Sequence, residues 1–202
     1  MGQYYLAYVN DGKKEKVFDN VCDGDYNGLK LMEHSWWANR VVANVVNELY
    51  YHKAFVAWVG DYYAEDNYSQ VNCNDESFVK MIGDKTWDEK TKRTPTTKKK
   101  VRFLTDCLLV NHSKKQYLDC NEYWIRNKHM ECWNEQMYEV AIHPLPLLTC
   151  SANHSGGSYY GINKDKCGTW FYDQLEVVLD EEKETLDKAG YKAVMFVFEE
   201  GI

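Results

Sequence analysis

The period of the hydrophobic positions changes several times along the chain, and each change predicts an element. From Tyr4 to Val9 the side chains divide into Tyr4, Leu6, Tyr8 and Tyr5, Ala7, Val9, the two faces of a strand. Asn10-Asp11-Gly12 is a turn signal and Lys16-Val17-Phe18 returns, giving a hairpin. A loop follows from Cys22 to Gly28. Val41, Val42, Val45, Val46, Leu49 and Tyr50 then recur at helical spacing behind Asn39, a good N-cap residue. Ala54–Gly60 is a short apolar run that reads as a strand. Residues 64–100 read as polar and irregular, with a thin apolar stretch from Phe78 to Ile82 and a mobile part within 84–100.

A second hairpin is expected over residues 101–124, from Val101–Val110 through a turn at His112-Ser113-Lys114-Lys115 to Gln116–Trp124. Its register sets Cys107 opposite Cys120, as two reduced thiols packing as small apolar groups. Met137–Ile142 predicts a further strand. His143-Pro144-Leu145-Pro146 predicts an extended bend, because each proline restricts the residue before it. A Gly/Ser loop runs from Ser151 to Gly161. Leu175–Leu179 is a strand, and Asp180 caps a helix whose first turn holds Glu181, Glu182 and Glu184 and which ends at Gly190. Tyr191–Phe198 is the last strand. Strands and helices mix without regular alternation. The expected fold is therefore α+β, a mainly antiparallel sheet built from hairpins with two or three packing helices. One domain over residues 1–202 is expected, with a basic insertion near 84–100.

Composition narrows the class. The chain of 202 residues is 45% hydrophobic with 16 Tyr, 7 Trp and 7 Phe, too rich in core-forming side chains for a disordered chain. No uncharged apolar run approaches the ~20 residues that span a bilayer, so no membrane partner is expected. The net charge of -7 resolves into +6 over residues 85–102 and -13 elsewhere. Nucleic acid is accordingly expected as a partner only at that basic segment, if at all. Seven cysteines cannot all pair, and the start Met1-Gly2-Gln3-Tyr4-Tyr5 lacks the pattern of an export signal. A cytoplasmic location with reduced thiols is the expectation.

Three stretches hold side chains suited to a site. Glu33-His34-Ser35-Trp36-Trp37 offers an imidazole that titrates near neutral pH beside two stacking surfaces. Gly60-Asp61-Tyr62 follows a strand end, where a rigid element positions polar groups. Cys150 to Gly161 includes His154, Gly156-Gly157 and Tyr159-Tyr160: small residues let backbone N–H groups crowd into an anion-accepting concavity, beside rings that stack on a base or sugar. Trp170 is a further aromatic near this loop. Neither a P-loop nor a dinucleotide fingerprint is present, and no zinc motif occurs. No metal or cofactor is expected, and no nucleophile motif marks an enzyme.

The segments Met1–Tyr5, Leu31-Met32-Glu33-His34-Ser35-Trp36, Ala57-Trp58-Val59-Gly60-Asp61-Tyr62 and Pro144-Leu145-Pro146-Leu147-Leu148-Thr149 together resemble a family of small proteins of Firmicutes, their phages and mobile elements. Gly156-Gly157-Ser158-Tyr159 looks like a further family feature. The resemblance carries no catalytic set over to this chain, but a phage-linked context implies a factor that counters a host defence. The first expectation is a cytosolic protein holding a small polar, nucleotide-like ligand with His34, Trp36, Asp61, Tyr62, His154, Tyr159, Tyr160 and Trp170. One alternative is a hydrolase or nucleotide-processing enzyme with His34 or His154 as base and Asp61 as orienter. Another is an acidic inhibitor that binds a host protein. Oligomeric state is not legible in the sequence.

Overall fold

The computed structural model describes residues 4–19, 29–30, 35–37, 39–61, 76–94, 105–133, 135–151 and 165–197. The main sheet takes strands β1 (Tyr4–Asn10), β2 (Glu15–Phe18), β3 (Leu29–Lys30), β4 (Ala54–Gly60), β5 (Arg93–Thr94), β6 (Cys107–Asn111), β7 (Gln116–Asp119), β10 (Asp173–Leu179) and β11 (Lys192–Ala193). Their order is β11-β7-β6-β10-β4-β1-β2-β5, with β3 also on β1. A separate hairpin pairs β8 (His129–Trp133) with β9 (Gln136–Val140). The fold is α+β and mostly antiparallel. Two edge pairs, β2 with β5 and β7 with β11, are parallel. The sheet is also less hairpin-built than expected: its middle joins β1, β4 and β10, which lie far apart in the chain.

Helix α1 (Arg40–Tyr51) begins where its sequence places it. The Asn39 side chain accepts the Val41 N–H at 2.8 Å, closing one of the orphan donors of the first turn. Its Val41, Val42, Val45, Val46 and Leu49 are buried on one sheet face against Tyr5, Ala7, Val9, Val56 and Trp58. Each such aliphatic side chain is worth about 1.5–3 kcal/mol when fully buried. The opposite face carries Leu6, Tyr8, Val17, Ala57 and Val59 under Ile82 of α2 (Glu76–Trp87). Farther along it, Leu108, Val110 and Tyr117 lie under Leu186 of α5 (Lys183–Lys188). Both faces of β1 and β4 are therefore covered.

Several local expectations are corrected. Helix α2 occupies a stretch expected to be irregular: Phe78 and Ile82 stand one turn apart and both reach the sheet, a spacing too sparse to show as a stripe. It and β5 place regular structure at both ends of 76–94; residues 95–100 lie outside the described residues. The second hairpin has the expected register, with Leu108 opposite Asp119 and Leu109 opposite Leu118. Its return strand stops at Asp119, whose side chain accepts the Glu122 N–H and starts α3 (Cys120–Asn127). The expected bend at Pro144 is instead the start of α4 (Pro144–Thr149). Proline fits a first helical turn because its missing N–H has no intrahelical partner there. Asp180 begins a 3-10 turn (Asp180–Glu182) without a side-chain cap, and the last strand covers only Lys192–Ala193. Gly190, at φ +82, closes α5 as expected.

Candidate functional site

Strand direction gathers one edge of the sheet. β1 runs antiparallel to β2, β3 and β4, and β5 runs parallel to β2. The carboxyl ends of β2, β3, β4 and β5 thus all point to the edge where β1 begins. After α4, Cys150 bridges Trp58 in parallel, so the chain reaches the same edge a fifth time. Close contacts fasten it. The Tyr4 N–H donates to Asp61 Oδ1 at 3.0 Å, and the Asp61 N–H donates to the Tyr4 carbonyl at 2.9 Å. The Gly60 N–H donates to Ser151 Oγ at 3.1 Å, and the Ser151 N–H donates to the Trp58 carbonyl at 2.7 Å. Trp58 itself is fully buried, and its indole N–H has no hydrogen-bond partner.

The Ser35 carbonyl accepts the His143 N–H at the start of α4. His143 Nδ1 in turn accepts the Leu145 N–H at 3.1 Å and caps that helix. The imidazole lies 4.4 Å from the Trp37 ring, and burial pushes its pKa down to about 3. It is therefore a neutral structural group near pH 7, with its Nδ1 lone pair spent on the backbone.

The eight side chains expected to hold a ligand fall in three situations. His34, Tyr62, His154, Tyr159 and Tyr160 lie outside the described residues. Asp61 stands at the edge just described, with one carboxylate oxygen on Tyr4. Trp36 is half-buried, bridges Ile142, and has its ring 6.0 Å from His129. Trp170 is buried in the main core and gives its indole N–H to Gln116 Oε1 at 2.9 Å. Its ring packs the fold and presents no face to solvent. Among the described residues no group of three or more His, Cys, Asp or Glu is arranged to hold a metal ion. No described helix is long and apolar enough to cross a membrane. In the basic segment, Lys85 pairs with Glu15 at 3.1 Å and Arg93 donates to the Thr86 carbonyl, so part of that charge is spent inside the fold.

Sequence reasoning missed an aromatic group on the other sheet face. Tyr172 takes φ +53, an uncommon backbone for a bulky side chain. In that conformation its ring lies 5.2 Å from Phe55, 5.0 Å from Phe78 and 6.0 Å from Tyr8, and its hydroxyl accepts from Asn10 Nδ2 at 3.2 Å. Burial and the facing Glu15 carboxylate push the Tyr8 phenol far above its usual range. No local motif marks Tyr172; only the strained φ betrays it. Comparison with family models, with curated proteins and with solved structures finds no match to this chain.

Proposed function

We propose that this is a cytosolic binding protein that holds a small polar, nucleotide-like ligand at the edge where β2, β3, β4 and β5 end. The supporting observation is the shared edge itself. Lys30, Asp61 and Ser151 are the points from which the chain continues toward His34, Tyr62 and His154-Tyr159-Tyr160. Ligand-contacting residues commonly sit on loops fixed by such a scaffold. Trp170 is left out of this pocket because its contacts are all internal. A phage or mobile-element role against host defence belongs to the same reading and rests on the family resemblance.

The test is thermal denaturation against a panel of nucleoside mono-, di- and triphosphates and cyclic nucleotides. A ligand at 100 times its Kd stabilises by about 2.7 kcal/mol, which in a chain of this size is a shift of roughly 5–10 °C. Heat-released ligand is then analysed by mass. An intact ligand supports binding, and a cleaved one replaces this reading with the hydrolase that uses Asp61 and His34 or His154. No shift with any nucleotide overturns it.

A further inference from the structure

At the start of β10, three ionisable side chains from distant parts of the chain form one hydrogen-bonded line. His112 sits in the β6–β7 turn. Its N–H donates to the Gln174 carbonyl at 2.9 Å, while Ser113 Oγ accepts the Gln174 N–H at 2.9 Å, so the turn is clamped onto β10. The imidazole Nε2 is 2.9 Å from Glu176 Oε2, and Nδ1 is 2.8 Å from the Tyr191 hydroxyl. The His112 side chain is only 15% exposed and that of Glu176 26%. The Tyr191 N–H donates to the Leu186 carbonyl at 3.0 Å, and its ring stands at 87° to the imidazole. Lys53 Nζ lies 3.5 Å from the same Glu176 oxygen.

The partners assign the proton. An ionised carboxylate only accepts, so Glu176 takes the Nε2–H, and Nδ1 is left with a lone pair facing the phenol O–H. This is the logic of an activated nucleophile: a hydroxyl, a base that receives its proton, and a third group that orients the base and stabilises its cation. Tyr117 supplies the contrast within the same cluster. Its hydroxyl donates straight to Asp187 Oδ1 at 2.9 Å, and burial followed by that carboxylate pushes its phenol up. An anion beside a phenol opposes the phenolate, whereas an imidazole becomes a cation as the phenolate forms.

We propose that Tyr191 is a nucleophilic phenol that accepts an acyl group from an activated acyl donor, with His112 as base and Glu176 as the positioning residue. In the step, the Tyr191 oxygen attacks the acyl carbon while its proton passes to His112 Nδ1. The bond from that carbon to the leaving group breaks, and the leaving group departs with the proton returned by His112. The product is O-acyl-Tyr191 and the protonated leaving group, with no oxidant or reductant involved.

N-Acetylimidazole tests this on the full chain at neutral pH, with acetylation of each tyrosine followed by peptide mass spectrometry. Tyr51, 66% exposed, is the internal reference. The expected result is that Tyr191 is acetylated at least about tenfold faster than Tyr51, as general-base assistance implies. Hydroxylamine removes the label, H112Q and E176Q slow Tyr191 alone, and Y191F abolishes that label. Tyr191 reacting no faster than Tyr51 in the wild-type chain overturns the proposal whether or not the variants fold. A rate undiminished in a folded H112Q or E176Q overturns it as well, and leaves the line as a staple between β10 and the segment after α5.

Discussion

The left-handed backbone at Tyr172 makes a prediction about sign. A non-glycine residue there costs about 1–2 kcal/mol, which the ring contacts must offset. Truncation to alanine removes three ring neighbours, at about 0.5–1.5 kcal/mol each beyond area, and the bond from Asn10, but it keeps the strain. Because Tyr172 is half-buried, Y172A is expected to lose about 2–3 kcal/mol. Y172G loses the same contacts and sheds the strain. In ordinary backbone glycine is worse than alanine by about 0.5–1 kcal/mol, so the balance here favours glycine by about 0.5–1 kcal/mol. Y172F isolates the hydroxyl, at about 1 kcal/mol. Urea unfolding followed by far-UV circular dichroism gives all three numbers, and thermal midpoints should move by about 2–4 °C per kcal/mol. The reasoning fails if Y172G is less stable than Y172A, because φ at this position is then not left-handed in solution.

Two further outcomes follow from buried groups. His143 is held neutral to about pH 3, whereas in the unfolded chain it takes up a proton near pH 6.5. The unfolded state therefore binds more protons between these values, so stability falls as pH drops below about 6.5, by up to about 1.4 kcal/mol per unit, and levels off near pH 3. H143N keeps an N-cap acceptor and should flatten that slope by close to one proton in urea melts at pH 4–7; an unchanged slope would exclude His143 as its source. Cys107 and Cys120 touch across the hairpin end, and the Cys107 contact followed by burial pushes the Cys120 thiol well up. In native protein, iodoacetamide mapped by peptide mass should, among the described cysteines, modify exposed Cys132 first and spare Cys107, Cys120 and Cys150 until unfolding. Early labelling of Cys120 would mean that the hairpin end opens.

What the sequence disclosed divides along physical lines. Elements closed by local signals were legible: the β1–β2 turn at Asn10-Asp11-Gly12, the Asn39 cap of α1, and the β6–β7 register set by a four-residue turn. Helix α4 was hidden because two prolines read as a break when they sit in a first turn, where their missing N–H groups are harmless. Helix α2 was hidden because Phe78, Ile82 and Trp87 are the only large apolar side chains among its described residues that pack on the sheet, too few to show as a stripe. Of the site residues, Asp61 was recognisable as a strand-end carboxylate. The line through His112 was not, since Glu176 and Tyr191 stand 64 and 79 positions away and neither has a local motif. Trp170 was expected as a ligand contact near the Gly/Ser loop; its burial against the core and its bond to Gln116 were not legible, because adjacency in the chain says nothing about which side of the sheet a ring enters.

The arrangement of β1, β4 and β10 at the centre of the sheet governs how the chain reaches this state. β1 pairs with a strand about 45 residues downstream, and β4 then waits for one about 110 residues farther on. The central strand β4 thus has its second neighbour only when residues 173–175 have been made. Local pieces, the β1–β2 and β6–β7 hairpins, have their partners at once, but the apolar run Ala54–Gly60 finds only β1 and lacks its second neighbour. During synthesis that run has β1 on one side and an open apolar edge on the other, the kind of edge that joins another chain's sheet if it is kept waiting. Folding of such non-local topologies is slow, and for this chain the vulnerable interval is set by the distance between β4 and β10.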